Sequence, residues 1–164
     1  CVATGIFGIG RKIPMNRVND LGQREGYWRD SVGGGFVYDL YYKGGKKDGL
    51  YKRFYRNKLF LFGEYTADNI SGTWYMFGDE GELRCTIDSI ELNKDSIYTG
   101  YCRIFCKYKC HSIDYYPSGA VKSEGYMVCD EEFEIEIWEI GEWKYYDESG
   151  NLIKTKDYGD RRTP

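Results

Sequence analysis

The side chains with the most reactive chemistry in this sequence are six thiols and one imidazole. Cys102, Cys106 and Cys110 are spaced four residues apart, and His111, the only histidine, follows the last of them. Thiolates and imidazoles bind zinc, but neither this spacing nor a single histidine matches a known zinc-binding pattern. Residues four apart on a strand lie on the same face. The spacing therefore favours a stripe of small buried side chains, and we expect no metal and no cofactor.

A catalytic pair formed by Cys110 and His111 is also disfavoured, because adjacent residues on a strand point to opposite faces. The sequence contains neither a Gly-x-Ser-x-Gly elbow nor a phosphate-binding loop. Carboxylates are abundant, but their spacing does not single out an acid–base pair. We expect no catalytic residues, so the protein is not expected to be an enzyme. A pocket that joined His111 to several carboxylates would support the opposite conclusion.

Three glutamates, Glu132, Glu134 and Glu136, alternate with apolar residues just before Ile137. Strict alternation of this kind is the clearest strand pattern in the chain. On a strand, the three carboxylates project to one side and bring like charges together. They could form a solvated edge that deters aggregation. They could also form a docking surface for a basic partner, with an attraction that salt weakens.

Glycine followed two residues later by a large aromatic residue recurs with a regular spacing. Gly26, Gly49 and Gly72 are 23 residues apart, and the same pair of residue types appears again at Gly141. A fixed period with glycine and aromatic anchors is typical of repeat architectures. The aromatic residues are expected to stack on one side of a sheet, either as core or as a binding face. They are Trp28, Tyr51, Trp74 and Trp143.

Turn-forming residues divide the chain into short segments rich in aromatic and β-branched residues, and no stretch of ten residues shows helical periodicity. We therefore predict an all-β fold: an elongated single antiparallel sheet of successive β-hairpin repeats. Residues 43–49 are expected to link the first two hairpins. The turns near Pro117 and Ser149 match, apart from two extra residues in the second. Strands are predicted at 27–32, 36–42, 50–56, 59–66, 73–77, 83–88, 101–116, 120–128, 133–137, 141–146 and 152–158.

Three parts of the chain differ in their pattern. Residues 1–15 are expected to be an N-terminal extension, 16–158 the β-hairpin repeat domain, and 159–164 a polar tail. The period is irregular around 87–101 and around 129–140. Residues 87–98 are longer than a standard connector and could be an insertion or a strand extension. Cys1 could be the lipidated first residue of a mature bacterial lipoprotein, or simply the residue at which this sequence begins.

The repeated unit is Gly-x-Trp/Tyr, a Tyr-Tyr or Phe-Tyr pair, a Gly or Asn turn, and a strand ending in Tyr. Together with the opening stretch from Asn19 to Trp28, it resembles the MORN-repeat superfamily. It is similar in particular to the bacterial variant known as antitoxin-type MORN repeat proteins. The resemblance covers residues 17–158 and implies a long MORN-like antiparallel sheet without catalytic residues. It specifies architecture more than function, and it suggests a toxin-neutralising or immunity role.

Charge and hydropathy limit the possible partners. The net charge is −3, so the chain lacks the basic surface that nucleic-acid binding requires. Thiols used as packing groups fit a reducing compartment, which favours a cytoplasmic protein. We expect a non-enzymatic scaffold that binds another protein or a second copy of itself. The alternative is a cell-envelope structural protein anchored to a membrane through a lipidated Cys1.

Overall fold

The structure is a computed structural model that describes residues 15–95, 97–98, 103–104, 106–130 and 137–160. It is all-β, with 11 strands in one antiparallel sheet and a separate two-stranded pair. Within the described ranges, no helix is long and apolar enough to cross a membrane. The predicted single antiparallel sheet of successive hairpins is confirmed.

The strand bounds agree with most of the predicted segments, and several strands are longer than predicted. The first seven strands are β1 Arg17–Val18, β2 Arg24–Val32, β3 Phe36–Lys43, β4 Lys46–Tyr55, β5 Lys58–Thr66, β6 Asn69–Phe77 and β7 Leu83–Leu92. The remaining strands are β8 Ile97–Tyr98, β9 Arg103–Ile104, β10 Tyr108–Tyr115, β11 Val121–Cys129, β12 Ile137–Tyr146 and β13 Leu152–Asp157. Of the predicted strand 133–137, only Ile137 lies among the described residues.

In the large sheet every strand pairs with its neighbours along the chain, in the order β1 to β7 and then β10 to β13. Two-residue turns with positive φ at both positions connect several of the strands. They are Gly44-Gly45, Arg56-Asn57 and Ala67-Asp68. Such turns have the twist that a hairpin requires. Residues 43–49 are therefore not a linker, since β4 begins directly after Gly45.

A second type of turn occurs four times among the described residues and ends in a glycine with positive φ. These glycines are Gly22, Gly81, Gly119 and Gly150. In the last two turns, Gly119 donates its N–H to the carbonyl of Tyr116, and Gly150 donates to that of Asp147. Both turns therefore have the same length. The expected two-residue insertion is wrong, because Tyr116 corresponds to Asp147 rather than to Tyr146.

One face of the sheet, here called the inner face, carries a core that runs from β2 to β12. Large rings on β4 and β6 meet across β5, which lies between them. The ring centroids of Tyr51 on β4 and Trp74 on β6 are 5.4 Å apart. The Tyr108 hydroxyl on β10 lies 3.3 Å from the backbone N of Ile70 on β6. The core consists of Leu40, Tyr42, Tyr51, Leu61, Tyr65, Ile70, Trp74, Cys85, Ile87, Tyr108, Cys110, Met127, Cys129 and Trp143.

The opposite face, the outer face, has a smaller core near β11 and β12. Ile97 and Cys106 pack with Val128, and Trp138 and Ile140 lie against this group. Val128 is the register partner of Trp138. Ile97 and Cys106, which follow β7 and precede β10 in the chain, therefore cover this end of the outer face. An insertion or a strand extension is predicted at this point of the sequence, and β7 does extend to Leu92.

The predicted long strand 101–116 is wrong. β9 pairs with β8, and β10 begins only at Tyr108, after Cys106 and Lys107. This break changes the predicted cysteine stripe, because Cys106 packs in the outer core and Cys110 in the inner core. Both thiols are buried as expected, but on opposite faces. Cys102 lies outside the described residues.

Candidate functional site

The four aromatic residues predicted as a column all belong to the inner face, as expected. The glycines that precede them, Gly26, Gly49, Gly72 and Gly141, all have positive φ, which a residue with a Cβ rarely adopts. A second glycine on the neighbouring strand then makes room for the indole. A Cβ at Gly63 would lie 2.1 Å from the Trp74 ring, and one at Gly125 would lie 2.5 Å from the Trp143 ring.

Most of this column is inaccessible to a partner. Trp74 is 0% exposed, Trp143 5% and Tyr51 7%, so these rings are core residues. Trp28 is only partly buried, and Arg24 lies over it with its guanidinium carbon 4.5 Å from the ring centroid. Of the four aromatic residues that were predicted to bind a partner, only Trp28 has a ring that a partner could reach. Glu132, Glu134 and Glu136, the other predicted binding residues, lie outside the described residues.

His111 and Cys110 lie on opposite faces, as predicted. The His111 Nδ1 is 3.5 Å from an Asp88 carboxylate oxygen, and its ring meets that of Tyr126 edge to face. The sulfur of Cys110 lies 3.5 Å from that of Cys129 in the inner core. Among the described residues, no three His, Cys, Asp or Glu side chains are grouped so as to hold a metal ion.

Two of the buried thiols, Cys85 and Cys110, are held in their protonated form. Burial raises the pKa of Cys85 to about 12. The contact with Cys129, together with burial, raises the pKa of Cys110 far above its ordinary value. Because the thiolate is the nucleophile and the metal ligand, such thiols are unreactive. Their role in this fold is packing.

The inner face also has an open groove of about 590 Å³ over β5 to β12. Its polar side chains satisfy one another, because Ser123 donates to the Asp114 carboxylate at 2.8 Å, and Ser112 lies 3.3 Å from the sulfur of Cys85. A Ser–Asp pair without an imidazole lacks the general base that activates a serine nucleophile. His111 is on the other face of the sheet and cannot supply it.

Over β3 to β6, the outer face carries a group of large side chains that are half-buried or exposed, here called the outer patch. It consists of Tyr41, Leu50, Lys52, Phe54, Phe62 and Tyr75. Tyr41 is 47% exposed and Leu50 54%. Lys52 pairs in register with Phe62, and Phe62 pairs with Tyr75 at a ring-centroid distance of 6.0 Å. No described segment packs on these residues, whereas the β11–β12 end of the same face is covered.

The sequence predictions did not include the outer patch. The available signal was the period of two within strands, which places Leu50, Lys52 and Phe54 on the face opposite Tyr51. An isolated exposed apolar residue is ordinary, so only the register of four strands shows that these residues form one group.

A charged network lies beside the outer patch. The Arg29 guanidinium donates two hydrogen bonds of 2.6 Å to the Asp39 carboxylate, which also accepts a hydrogen bond from Tyr27. Burial raises the pKa of Asp39, but these hydrogen bonds outweigh it and hold the pKa below 3.8. Burial and the hydrogen bond to Asp39 raise the pKa of Tyr27 to about 12. Lys52 of the outer patch pairs in register with Asp39, so the charged network adjoins the patch at this residue.

Comparisons with known proteins identify no relative: no family model, no curated protein and no solved structure matches the chain.

Proposed function

We propose that this protein is a non-enzymatic β-repeat scaffold that binds another protein through the outer patch. The observation that carries the proposal is the uncovered group of aromatic and aliphatic side chains on the outer face of β3 to β6. Aromatic residues supply much contact area with few rotatable bonds, which suits protein recognition. The resemblance to antitoxin-type MORN repeats makes toxin neutralisation the specific form that we propose for this binding.

The charges around the outer patch indicate the kind of partner. Lys52 lies within the patch, and the exposed residues Lys43 and Lys46 form a register pair at its margin. Asp39 is already paired with Arg29, and Glu64, the exposed register partner of Leu50, offsets only one of these three cations. An interface of this type combines an apolar centre with a charged rim. The partner surface that fits is apolar at its centre and carries Asp and Glu at its rim.

The test is the substitution Leu50→Glu, with Leu92→Glu as the matched control. Both leucines are exposed, at 54% and 61%, so neither substitution disturbs the core, and the charge change is the same. A protein captured from the native host is identified, purified and titrated against each variant. We expect Leu50→Glu to raise Kd at least tenfold, which is typical of a charge placed in an apolar interface. Equal effects of the two variants would exclude the outer patch.

A further inference from the structure

The two ends of the sheet differ in how their outer strand edges are covered. At the first edge, β1 pairs with β2, and the Asn16 side chain forms hydrogen bonds of 2.8 and 3.0 Å with the backbone N–H and C=O of Arg29. At the last edge, β13 pairs with β12 on one side, and no described segment pairs with its other side. All six residues of β13 are exposed.

An edge strand presents a row of backbone donors and acceptors that can pair with another chain. β13 has six residues, compared with 8 to 10 in β10 to β12, so it is long enough to act as a template for an added strand. Leu152 and Ile153 are 55% and 62% exposed, so apolar groups are available beside these backbone groups. Addition of an extended peptide to such an edge is a general mode of recognition.

The two lysines of β13 determine which strand can be added on the inner face, since the one carboxylate of β13, Asp157, pairs in register with Glu142 on the outer face. Lys154 and Lys156 pair in register with Tyr145 and Trp143, so both lysines lie on the inner face. The Nζ of Lys154 is 4.6 Å from the Tyr145 ring centroid, and that of Lys156 is 4.0 Å from the Tyr158 ring centroid. Two cations are therefore held over aromatic rings at alternate positions of one edge.

A second copy of the chain is a poor partner for this edge. Antiparallel pairing of two β13 strands brings lysines of one copy near lysines of the other, and like charges opposite each other destabilise a sheet. Lysines on an edge strand are also a common protection against self-association. The same lysines attract a strand that has carboxylates at alternate positions.

We propose that β13 is a second binding edge, to which an extended acidic segment of another protein adds as a twelfth strand of the sheet. Acidic residues at every second position face Lys154 and Lys156, and apolar residues alternate with them. This edge is separate from the outer patch, so the inference goes beyond the proposed function and does not depend on it.

The probe for this proposal is a fluorescein-labelled peptide of three Glu-Val repeats, titrated by fluorescence anisotropy at low ionic strength. The double variant Lys154→Glu/Lys156→Glu is compared with Arg56→Glu/Lys58→Glu, which changes the net charge equally but lies at the β4–β5 turn, far from β13 and outside the outer patch. We expect the first variant to raise Kd about tenfold or more, as the reversal of two cross-strand charge pairs implies. The second is expected to change Kd less than about twofold, because its charges are beyond screening distance.

Backbone amide exchange of the intact protein, followed by NMR, distinguishes strand addition from general charge attraction. Addition of the peptide is expected to slow exchange at alternate amides of β13, since only every second N–H of an edge strand points outward. Equal weakening by the two double variants, or no new protection in β13, would overturn the proposal. The proposal would also be overturned if the protein alone sedimented as a dimer and Lys154→Glu/Lys156→Glu changed that behaviour. In that case β13 would bind a second copy of the chain.

Discussion

At the level of single residues, the outer face contains a buried carboxylate, that of Asp39. The side chain of Asp39 is 9% exposed, whereas the side chain of Arg29, which holds it, is 50% exposed. A bidentate guanidinium–carboxylate contact is directional and stronger than a neutral hydrogen bond. The pair differs from the contact of Arg24 with Asp30, whose side chains are 44% and 42% exposed. The two pairs allow a direct comparison of a buried and a solvated carboxylate.

We predict that Asp39→Asn lowers the free energy of unfolding by about 2 kcal/mol at pH 7, because hydrogen bonds to a charged group are lost at a buried position. Asp30→Asn, the control, is expected to cost less than about 0.5 kcal/mol, as solvated pairs do. Urea denaturation measures both. The prediction is wrong if the two variants are equally stable.

The same substitution has a predicted pH dependence. The folded-state pKa of Asp39 lies below its ordinary value of 3.8. The stability that this carboxylate contributes is therefore fully present above 3.8 and is lost as pH falls through the folded-state value. The stability difference between wild type and Asp39→Asn should be constant from pH 7 to pH 5 and should shrink below pH 3.8. A difference that grows in acid would contradict the lowered pKa.

The buried thiols lead to a second prediction at this scale. Cys85, Cys110 and Cys129 are buried, and the pKa values of Cys85 and Cys110 are raised, so little thiolate forms at pH 8. We expect the three to resist iodoacetamide in the native protein and to react fully in guanidinium chloride, as measured by peptide mass mapping. Rapid native labelling of Cys110 would show that the inner core opens readily.

At the level of strands, two glycine–tryptophan contacts hold neighbouring strands together. Gly63 faces Trp74 and Gly125 faces Trp143, and neither glycine has a positive φ. Their requirement is therefore space rather than backbone conformation. Trp143 also donates its indole N–H to the carbonyl of Tyr126, beside Gly125. The ring and its hydrogen bond both depend on the absence of a Cβ at the facing position.

We predict that Gly63→Ala and Gly125→Ala each lower the free energy of unfolding by about 3 kcal/mol, because the new methyl group overlaps a buried indole. Gly33→Ala is the control: a Cβ there meets no atom within 4 Å and the φ is not positive, so we expect a change below about 0.5 kcal/mol. Adding Trp74→Val should reduce the cost of Gly63→Ala. An unchanged cost in the double variant would show that the overlap is not its cause.

The local signals in the sequence predicted the hairpins well, because turn chemistry is local. Gly81, Gly119 and Gly150 mark turns whose glycine must adopt positive φ, and these positions were recognisable from residue type alone. The segment that contains Ile97 and Cys106 was not predictable in the same way. Its place on the outer face depends on contact with Val128 and Trp138, which are distant in sequence.

The candidate sites were predictable only in part. The glycine–aromatic repeat correctly placed Trp28, Tyr51 and Trp74 on one face, but a repeat alone does not distinguish a buried ring from an exposed one. Burial of Trp74 depends on Gly63 and on rings two strands away, such as Tyr51. The outer patch and the Arg29–Asp39 contact likewise depend on strand register, which a reading of separate segments does not provide.

At the level of the whole molecule, the sheet is a one-dimensional array. Each strand of the large sheet pairs with its neighbours in sequence, apart from the passage from β7 to β10. Stability in such arrays is close to a sum of local units and their neighbour contacts. The inner core nevertheless extends over many strands, from Trp28 on β2 to Trp143 on β12. The two end strands, β1 and β13, have every residue exposed and contribute no buried side chain to this core.

This gradient leads to a prediction for native-state amide exchange. The opening free energy should be highest in β5 to β7 and β10, which contain Leu61, Trp74, Ile87 and Cys110, all at most 1% exposed. It should be lowest in the two end strands of the large sheet, β1 and β13. Because the array is linear, Gly125→Ala should reduce protection in β11 to β13 more than in β3 and β4, and Gly63→Ala should reduce protection mainly in β4 to β6. Gly33→Ala serves as the control with unchanged exchange. A uniform loss of protection from either variant would mean that the continuous inner core makes the whole sheet one cooperative unit, and the additive description would then be wrong.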